Sequence, residues 1–217
     1  MYEEIIRTCQ HYNADLVAVS KTKPVEKIFE IYNKGHRDFG ENRAQEMAQK
    51  YEVMPKDIRW HFIGNLQSKK VKYIAPFVHL IHSVDRSSLL QTIDKEAKKN
   101  DRVIDILLQP KIAKEESKSG LTEDELKEVV NELINGKYSN LNLRGLMGMA
   151  TFTTNKDLIN EEFTFLKKQY SNIKSSLKKT DFNILSMGMS GDYQMALENG
   201  STMIRVGSLI FGKRNYT

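Results

Sequence analysis

The sequence has little of what disulfide-linked or membrane-embedded proteins need. Its 217 residues include one cysteine, Cys9, so an internal disulfide is excluded and a reducing compartment fits. No apolar run approaches the ~18 residues of a membrane helix. The N-terminal stretch MYEEIIRTCQ also lacks the apolar core of a secretion signal. We therefore expect a cytoplasmic protein with no membrane partner.

Sequence signatures of nucleotide and metal sites are missing as well. The first candidate strand is followed by VSKTKP and not by the G-x-G-x-x-G of a dinucleotide site. The segment GSLIFGKR approaches a phosphate-binding P-loop, but its middle is apolar and Arg214 replaces the required hydroxyl residue. The histidines show no metal-ligand spacing, so we expect no metal site. They are His11, His36, His61, His79 and His82.

The positive charge of the chain is dispersed. The net charge is +5, but most lysines stand beside acids in helical segments such as KEAKKNDR and LTEDELKEVV. Basic and aromatic residues do not interleave as they do in nucleic-acid-binding modules. We therefore interpret the lysines as solvated helix faces and expect no nucleic-acid partner.

Short apolar runs alternate with longer amphipathic stretches along the whole chain. The predicted strands are Leu16–Ser20, Asp38–Glu41, Trp60–Gly64, Leu80–Val84, Ile104–Gln109, Leu143–Gly148, Ile184–Met187 and Met203–Val206. The predicted helices are Val25–Asn33, Ala44–Tyr51, Lys69–Ile74, Ser87–Lys99, Glu123–Leu133, Asn160–Leu177 and Tyr193–Asn199. This alternation predicts a parallel sheet, and without a dinucleotide fingerprint we favour an α/β fold with a closed (β/α)8 TIM-type barrel over residues 1–217.

In such a barrel, the polar segment after each strand lies at the mouth, where active sites form. Lys21 directly follows the first strand, in LVAVSKTKP. A lysine there either extends its charge to solvent or sits in a partly dry pocket where it becomes nucleophilic. Polar or glycine-rich motifs follow the other strands too, which favours the second interpretation.

The last two motifs predict a phosphate site. MGMSGD places Ser190 between a strand and a helix, and RVGS places Gly207 and Ser208 directly after the eighth strand. A ligand with a phosphate at one edge and an aldehyde that condenses with Lys21 would use both, and pyridoxal 5′-phosphate (PLP) is such a ligand. Arg205 could face the ring nitrogen and keep it unprotonated, which makes the cofactor a weaker electron sink.

Each of these motifs also has a plainer interpretation. The glycines of the last two motifs, Gly188, Gly191, Gly207 and Gly212, could be turn residues. The methionines Met147, Met149, Met187 and Met189 are better explained as pocket packing than as chemistry.

The ordered motifs resemble the pyridoxal-phosphate homeostasis protein family. They are LVAVSKTKP, FGENRAQE, HFIGNLQSKKVKYI, SVDR, EESKSG, GLMGMA and LSMGMSGDYQMALENGSTMIRVGSLIFGKRNY. The resemblance implies a fold type III PLP-binding barrel, like that of alanine racemase without its second β domain. It implies a Schiff base between PLP and Lys21, Asn42 near the ring, Arg205 near the pyridine nitrogen, and a phosphate on Ser190, Gly207 and Ser208. It also implies a role in holding PLP and delivering it to PLP-dependent apoenzymes, without robust catalysis.

The chain departs from the family pattern at Asn65, Lys69 and Lys111, and its segment before the first strand is short. These departures bear on partner surfaces and not on the Schiff-base or phosphate motifs. The alternative function is a PLP-dependent amino-acid racemase, which needs an acid/base group on each face of the ring. Lys21 could serve one face, whereas the racemases take the opposing tyrosine from a second domain. We expect a monomer or a weak dimer.

Overall fold

Eight strands form a closed parallel barrel, in chain order, in the computed structural model of the protein. The structure describes residues 1–113, 119–177 and 181–212. The strands are β1 (Asp15–Val19), β2 (Asp38–Glu41), β3 (Arg59–Phe62), β4 (Leu80–Val84), β5 (Ile104–Leu108), β6 (Leu141–Met147), β7 (Ile184–Ser186) and β8 (Met203–Val206). β1 pairs with β2 on one side and with β8 on the other, which closes the barrel. The predicted TIM-type barrel is confirmed.

Helices follow the strands on the outside of the barrel. They are α1 (Tyr2–His11), α2 (Val25–Tyr32), α3 (Ala44–Val53), α4 (Ser87–Lys99), α5 (Glu123–Ile134), α6 (Lys156–Leu177), α7 (Tyr193–Glu198) and α8 (Ser208–Phe211), with a 3₁₀ helix at Ser68–Tyr73. The start of α5 shows the local sequence control. Thr122 accepts a hydrogen bond from the Glu125 N–H, and the Glu125 carboxylate accepts one from the Thr122 N–H, which forms a capping box.

The predicted bounds agree closely with these elements. β2, β4, β8 and α4 have the predicted bounds, and the other strands differ by one or two residues at an end. The predicted helix Lys69–Ile74 is a 3₁₀ helix. Helices α1 and α8 were not predicted from the sequence. α1 covers β1 and β8 through Ile5 and Cys9, which share a buried cluster with Leu16 and Ile204.

Strand alternation divides the barrel interior from its outer core. In β1, Val17 joins an inner cluster with Leu80, Leu107, Met147 and Met203. Its neighbours Leu16 and Ala18 pack outward against the helices. The same alternation sends Asp15 to a cavity at the N-terminal end of the barrel and Val19 to a cavity at the C-terminal mouth.

A helix that crosses a bilayer needs about 20 consecutive, mostly apolar residues. Within residues 1–113, 119–177 and 181–212, no helix is long and apolar enough to cross a bilayer.

Candidate functional site

A cavity of about 420 Å³ opens at the C-terminal mouth of the barrel. It brings together all six residues that the sequence predicted for the site. They are Lys21, Asn42, Ser190, Arg205, Gly207 and Ser208. Val19, Ile63, Met149 and Met189 supply apolar wall, so the cavity suits a flat apolar body with polar groups at its edges.

Lys21 lies in a tight turn between β1 and α2. The Lys23 N–H donates to the Ser20 carbonyl at 3.0 Å, which closes the turn. Thr22, between the two lysines, has a φ of +63°, a left-handed conformation that is rare for a β-branched residue. Such a conformation costs about 1–3 kcal/mol and persists only where its surroundings enforce it.

A buried ion pair beneath this turn supplies that enforcement. The Lys50 ammonium donates to Glu41 Oε1 and Glu46 Oε1, both at 2.7 Å, and to the Ser20 carbonyl at 2.9 Å. Glu46 Oε1 also accepts the Thr22 N–H at 2.6 Å, and the Ser20 hydroxyl donates to Glu41 at 2.6 Å. Burial raises the pKa of Glu41 to about 7, against the opposing effect of Lys50. Lys21 therefore stands on a turn that is fixed from below.

The predicted phosphate loops meet at one side of the cavity. Ser190 lies in the loop between β7 and α7, and its hydroxyl accepts the Gly207 N–H at 3.3 Å. A Cβ atom on Gly207 would stand 3.0 Å from the Val19 carbonyl oxygen, so the absence of a side chain lets the chain pass close to β1. The lack of a side chain at Gly207 thus has a packing reason, whether or not the residue binds phosphate as predicted. Gly188, with a φ of +96°, serves the turn, in line with the plainer interpretation.

Arg205 forms part of the cavity floor and is only 4% exposed. Its Nη1 group donates to the Ser186 carbonyl at 2.9 Å and to the Ser186 hydroxyl at 2.7 Å, and Nη2 donates to the Gly148 carbonyl at 3.0 Å. Burial lowers the pKa of Arg205 to about 10, so the guanidinium remains charged at neutral pH.

Asn42 has a buried polar atom that points to a ligand. Its Oδ1 atom is shielded from solvent and has no hydrogen-bond partner among the described residues. A buried acceptor without a partner costs about 1–3 kcal/mol, so such atoms call for an explanation. Asn42 lines the mouth cavity, where a bound molecule could supply the missing donor.

Several features of the site were not predicted from the sequence. The Glu41–Lys50 pair was missed because Glu41 ends strand β2 and Lys50 lies in α3, so only the folded chain brings the two side chains together. Phe152, which is 99% exposed at the cavity rim, carried no signal in a segment read as glycine-rich loop. Of the methionines expected to pack the pocket, Met149 and Met189 line it, whereas Met147 and Met187 lie in the cores.

The family departures lie away from the cavity wall. Asn65 lines a neighbouring cavity of about 210 Å³ that also contacts Asn42. Lys69 is exposed in the 3₁₀ helix, and the Lys111 N–H donates to the Leu121 carbonyl at 2.9 Å. Most of the motif EESKSG lies outside the described residues.

The chain is similar to known proteins over nearly its full length. The family model of the alanine racemase N-terminal domain matches residues 2–215. A curated relative from Aquifex aeolicus, named pyridoxal phosphate homeostasis protein, is 38% identical, and the match covers 99% of this chain and 95% of that protein.

Solved structures give the same result. PipY of Synechococcus elongatus with PLP bound is 32% identical with a TM-score of 0.84, and the match covers 92% of this chain and 93% of that one. Alanine racemase from Bartonella henselae is 14% identical with a TM-score of 0.72, and the match covers 96% of this chain and 59% of that one. At that identity the likeness to the racemase concerns the fold alone.

Proposed function

The chain belongs to the pyridoxal phosphate homeostasis protein family, and from this premise we propose that it binds PLP at the barrel mouth, holds it and delivers it to PLP-dependent apoenzymes. The observation that carries the proposal is the convergence of an amine, an arginine and a hydroxyl–amide cluster on one cavity of about 420 Å³. The proposed setting is the cytoplasm, which a sequence with a single cysteine fits.

Each proposed contact follows from the chemistry of one residue. When bound, PLP supplies an aldehyde that condenses reversibly with an amine. Lys21 is the amine that we propose for this Schiff base, because its turn is fixed by the buried pair beneath it. Ser190, Gly207 and Ser208 hold the phosphate through hydroxyl and backbone N–H donors, and they lie at the loops where such barrels commonly bind phosphate.

Arg205 and Asn42 address the ring of the cofactor. Arg205 donates a hydrogen bond to the ring nitrogen and, as a permanent donor at neutral pH, keeps that nitrogen an acceptor. Asn42 places its unpartnered Oδ1 beside the ring, where the side-chain amide orients the cofactor. An unprotonated ring is a poor electron sink, so this arrangement favours holding over turnover.

The racemase alternative needs a second acid/base group facing Lys21 across the ring. Tyr193, the tyrosine nearest the phosphate loop in sequence, is buried in the cluster with Ile5 and Leu16 on the outside of the barrel. In the described part of the chain, no tyrosine lines the mouth cavity. The carrier function is therefore the better supported one.

Transfer of PLP to an apoenzyme tests the proposal. Purified protein is loaded with PLP, freed of excess cofactor, and mixed with the apo form of a PLP-dependent enzyme whose activity reports the transfer. We expect recovery of the apoenzyme with the loaded wild type and a loss of that recovery with Lys21→Ala treated in the same way.

Chiral analysis of alanine after long incubation with the PLP-loaded protein tests the racemase alternative. Lysine-dependent racemisation at ~1 s⁻¹, the low end for ordinary enzymes, together with no transfer, would overturn the carrier function in favour of the racemase.

A further inference from the structure

A line of buried polar side chains runs along the barrel axis beneath the mouth cavity. His61 of β3 lies 3.0 Å from Asp38 at Nε2 and 3.0 Å from His82 at Nδ1. His82 of β4 then lies 3.0 Å from the Ser186 hydroxyl, which accepts from Arg205 at 2.7 Å. The side chains of His82 and Ser186 are fully buried, and His61 is 1% exposed. This axial chain links the cavity at the N-terminal end to the mouth.

The two ends of the axial chain fix its terminal hydrogen bonds, and with two neutral histidines one direction of the inner bonds satisfies both ends. Arg205 can only donate, so the Ser186 oxygen accepts from it and the Ser186 O–H is available to donate to His82 Nδ1. A neutral His82 then carries its proton on Nε2 and donates to His61 Nδ1. His61 in turn donates from Nε2 to the Asp38 carboxylate, which can only accept.

The electrostatics of His82, in the middle of the axial chain, and of Asp38, at one end, agree with this direction. Burial lowers the pKa of His82 well below its usual value, and the neighbouring His61 and Arg205 act in the same direction. Hydrogen bonds from His61 and Arg59 keep the pKa of Asp38 below its usual range, although burial opposes them. His82 is therefore neutral and Asp38 ionised near pH 7. Arg59, His79, Asp15 and Asp105 also lie beside the histidines, and Asp192 acts on Arg205.

The axial chain also determines which Arg205 protons remain for a ligand. The bonds to Ser186 use both Nη1 hydrogens, and the bond to Gly148 uses one on Nη2. The other Nη2 hydrogen and the Nε–H have no acceptor among the described residues and are the donors that Arg205 retains for a ligand. Of the three acceptors that hold the guanidinium, the Ser186 hydroxyl is the one that belongs to the axial chain, and the other two are backbone carbonyls.

We propose that Asp38, His61, His82 and Ser186 are positioning residues, whose one-directional hydrogen bonds hold the Arg205 guanidinium in the orientation that presents its remaining donors to the ligand. The proposal rests on the proposed function in one respect, that the ligand at the mouth is PLP. The orientation of Arg205 in the ligand-free protein does not depend on that point.

The first test uses the ligand-free protein. Ring nitrogen NMR of ¹⁵N-histidine-labelled protein at neutral pH distinguishes the two neutral tautomers and the cation. We expect His82 to be neutral with its proton on Nε2 and His61 to carry a proton on Nε2, and we expect Ser186→Ala to shift the His82 Nδ1 signal. A proton on Nδ1 of His82, or a cationic His82, would overturn the proposed direction of the chain.

The second test cuts the chain in its middle with a matched pair of variants. His82→Gln keeps an amide oxygen for Ser186 and an N–H for His61, whereas His82→Leu keeps the volume and removes both. In ligand-free protein, we expect the guanidinium protons of Arg205 to exchange with solvent faster in the Leu variant, and at nearly the wild-type rate in the Gln variant. Equal exchange in all three proteins would refute the positioning role.

PLP binding by the same proteins separates this proposal from the proposed function. We expect about a tenfold weaker affinity for the Leu variant, with most of it restored by Gln. Should the Leu variant not fold, Ser186→Ala serves in its place, with the same expected losses. If the wild type does not bind PLP, the proposed function fails, whereas the NMR results still test the direction of the hydrogen bonds in the axial chain. Equal PLP affinity in the wild type and both folded variants would refute the positioning role of the axial chain and leave the proposed function intact.

Discussion

Among single residues, a substitution at Ser190 tests one contact of the proposed PLP site, the one to the phosphate. Its hydroxyl accepts the Gly207 N–H in the protein and would turn its own hydrogen to the phosphate. Removal of a hydroxyl from a charge-assisted contact costs about 1.5–3 kcal/mol. We therefore expect Ser190→Ala to weaken PLP binding by roughly ten- to a hundredfold, measured by equilibrium titration.

Pyridoxal, which has no phosphate, is the matched ligand control. Its affinity should be the same for wild type and Ser190→Ala, since it lacks the group that Ser190 is proposed to hold. A variant that binds PLP and pyridoxal with wild-type affinities would remove Ser190 from the site.

The turn after β1, which carries Lys21, is held by side chains of β2 and α3. The protonation of Glu41 in β2 makes the stability of the protein depend on pH. Because burial raises the pKa of Glu41 to about 7 from 4.5, the folded protein retains a proton that the unfolded chain has released between those values. The free energy of unfolding should then fall as pH rises through this window, by at most about 1.4 kcal/mol per pH unit.

Denaturant unfolding of wild type and Glu41→Gln at several pH values measures this contribution. We expect the wild type to lose stability relative to Glu41→Gln as pH rises from about 4.5 to about 7. Glu46→Gln, which removes a different carboxylate bound to Lys50, should retain the wild-type trend. A difference between wild type and Glu41→Gln that stays constant with pH would show that Glu41 is ionised throughout this window.

Elements could be predicted from the sequence wherever periodicity and local signals agree. The alternation of apolar runs predicts each strand of the barrel within two residues, and the rule that parallel strands end at one mouth places Lys21 beside Ser190 and Gly207. Helix α1 was missed although Ile5 and Cys9, four residues apart, lie on one buried face and give it an amphipathic pattern. α8 is four residues long and follows directly on a binding motif.

Polar contacts inside the barrel could not be predicted, because they depend on the register of strands far apart in sequence. His82 and Ser186 are 104 positions apart and meet only when the barrel closes. The spacing of the histidines along the sequence predicts no metal site and gives no sign that they contact one another. Their arrangement across neighbouring strands becomes visible only when the strand pairing is known.

For the molecule as a whole, we propose that the barrel holds PLP covalently on Lys21. Lys23 is the matched alternative, because it also lines the mouth cavity two residues away. Its ammonium donates to the Gly212 carbonyl at 3.1 Å, which directs it toward the end of the chain. A covalent adduct on one lysine and not on the other is therefore a specific expectation.

Borohydride reduction of the PLP-loaded protein, followed by proteolysis and mass spectrometry, identifies which of the two lysines carries PLP. We predict a single pyridoxyl adduct on Lys21, retained in Lys23→Ala and lost in a folded Lys21→Ala variant. An adduct on Lys23 in the wild type, or a reducible adduct that persists in Lys21→Ala, would refute covalent binding of PLP at Lys21.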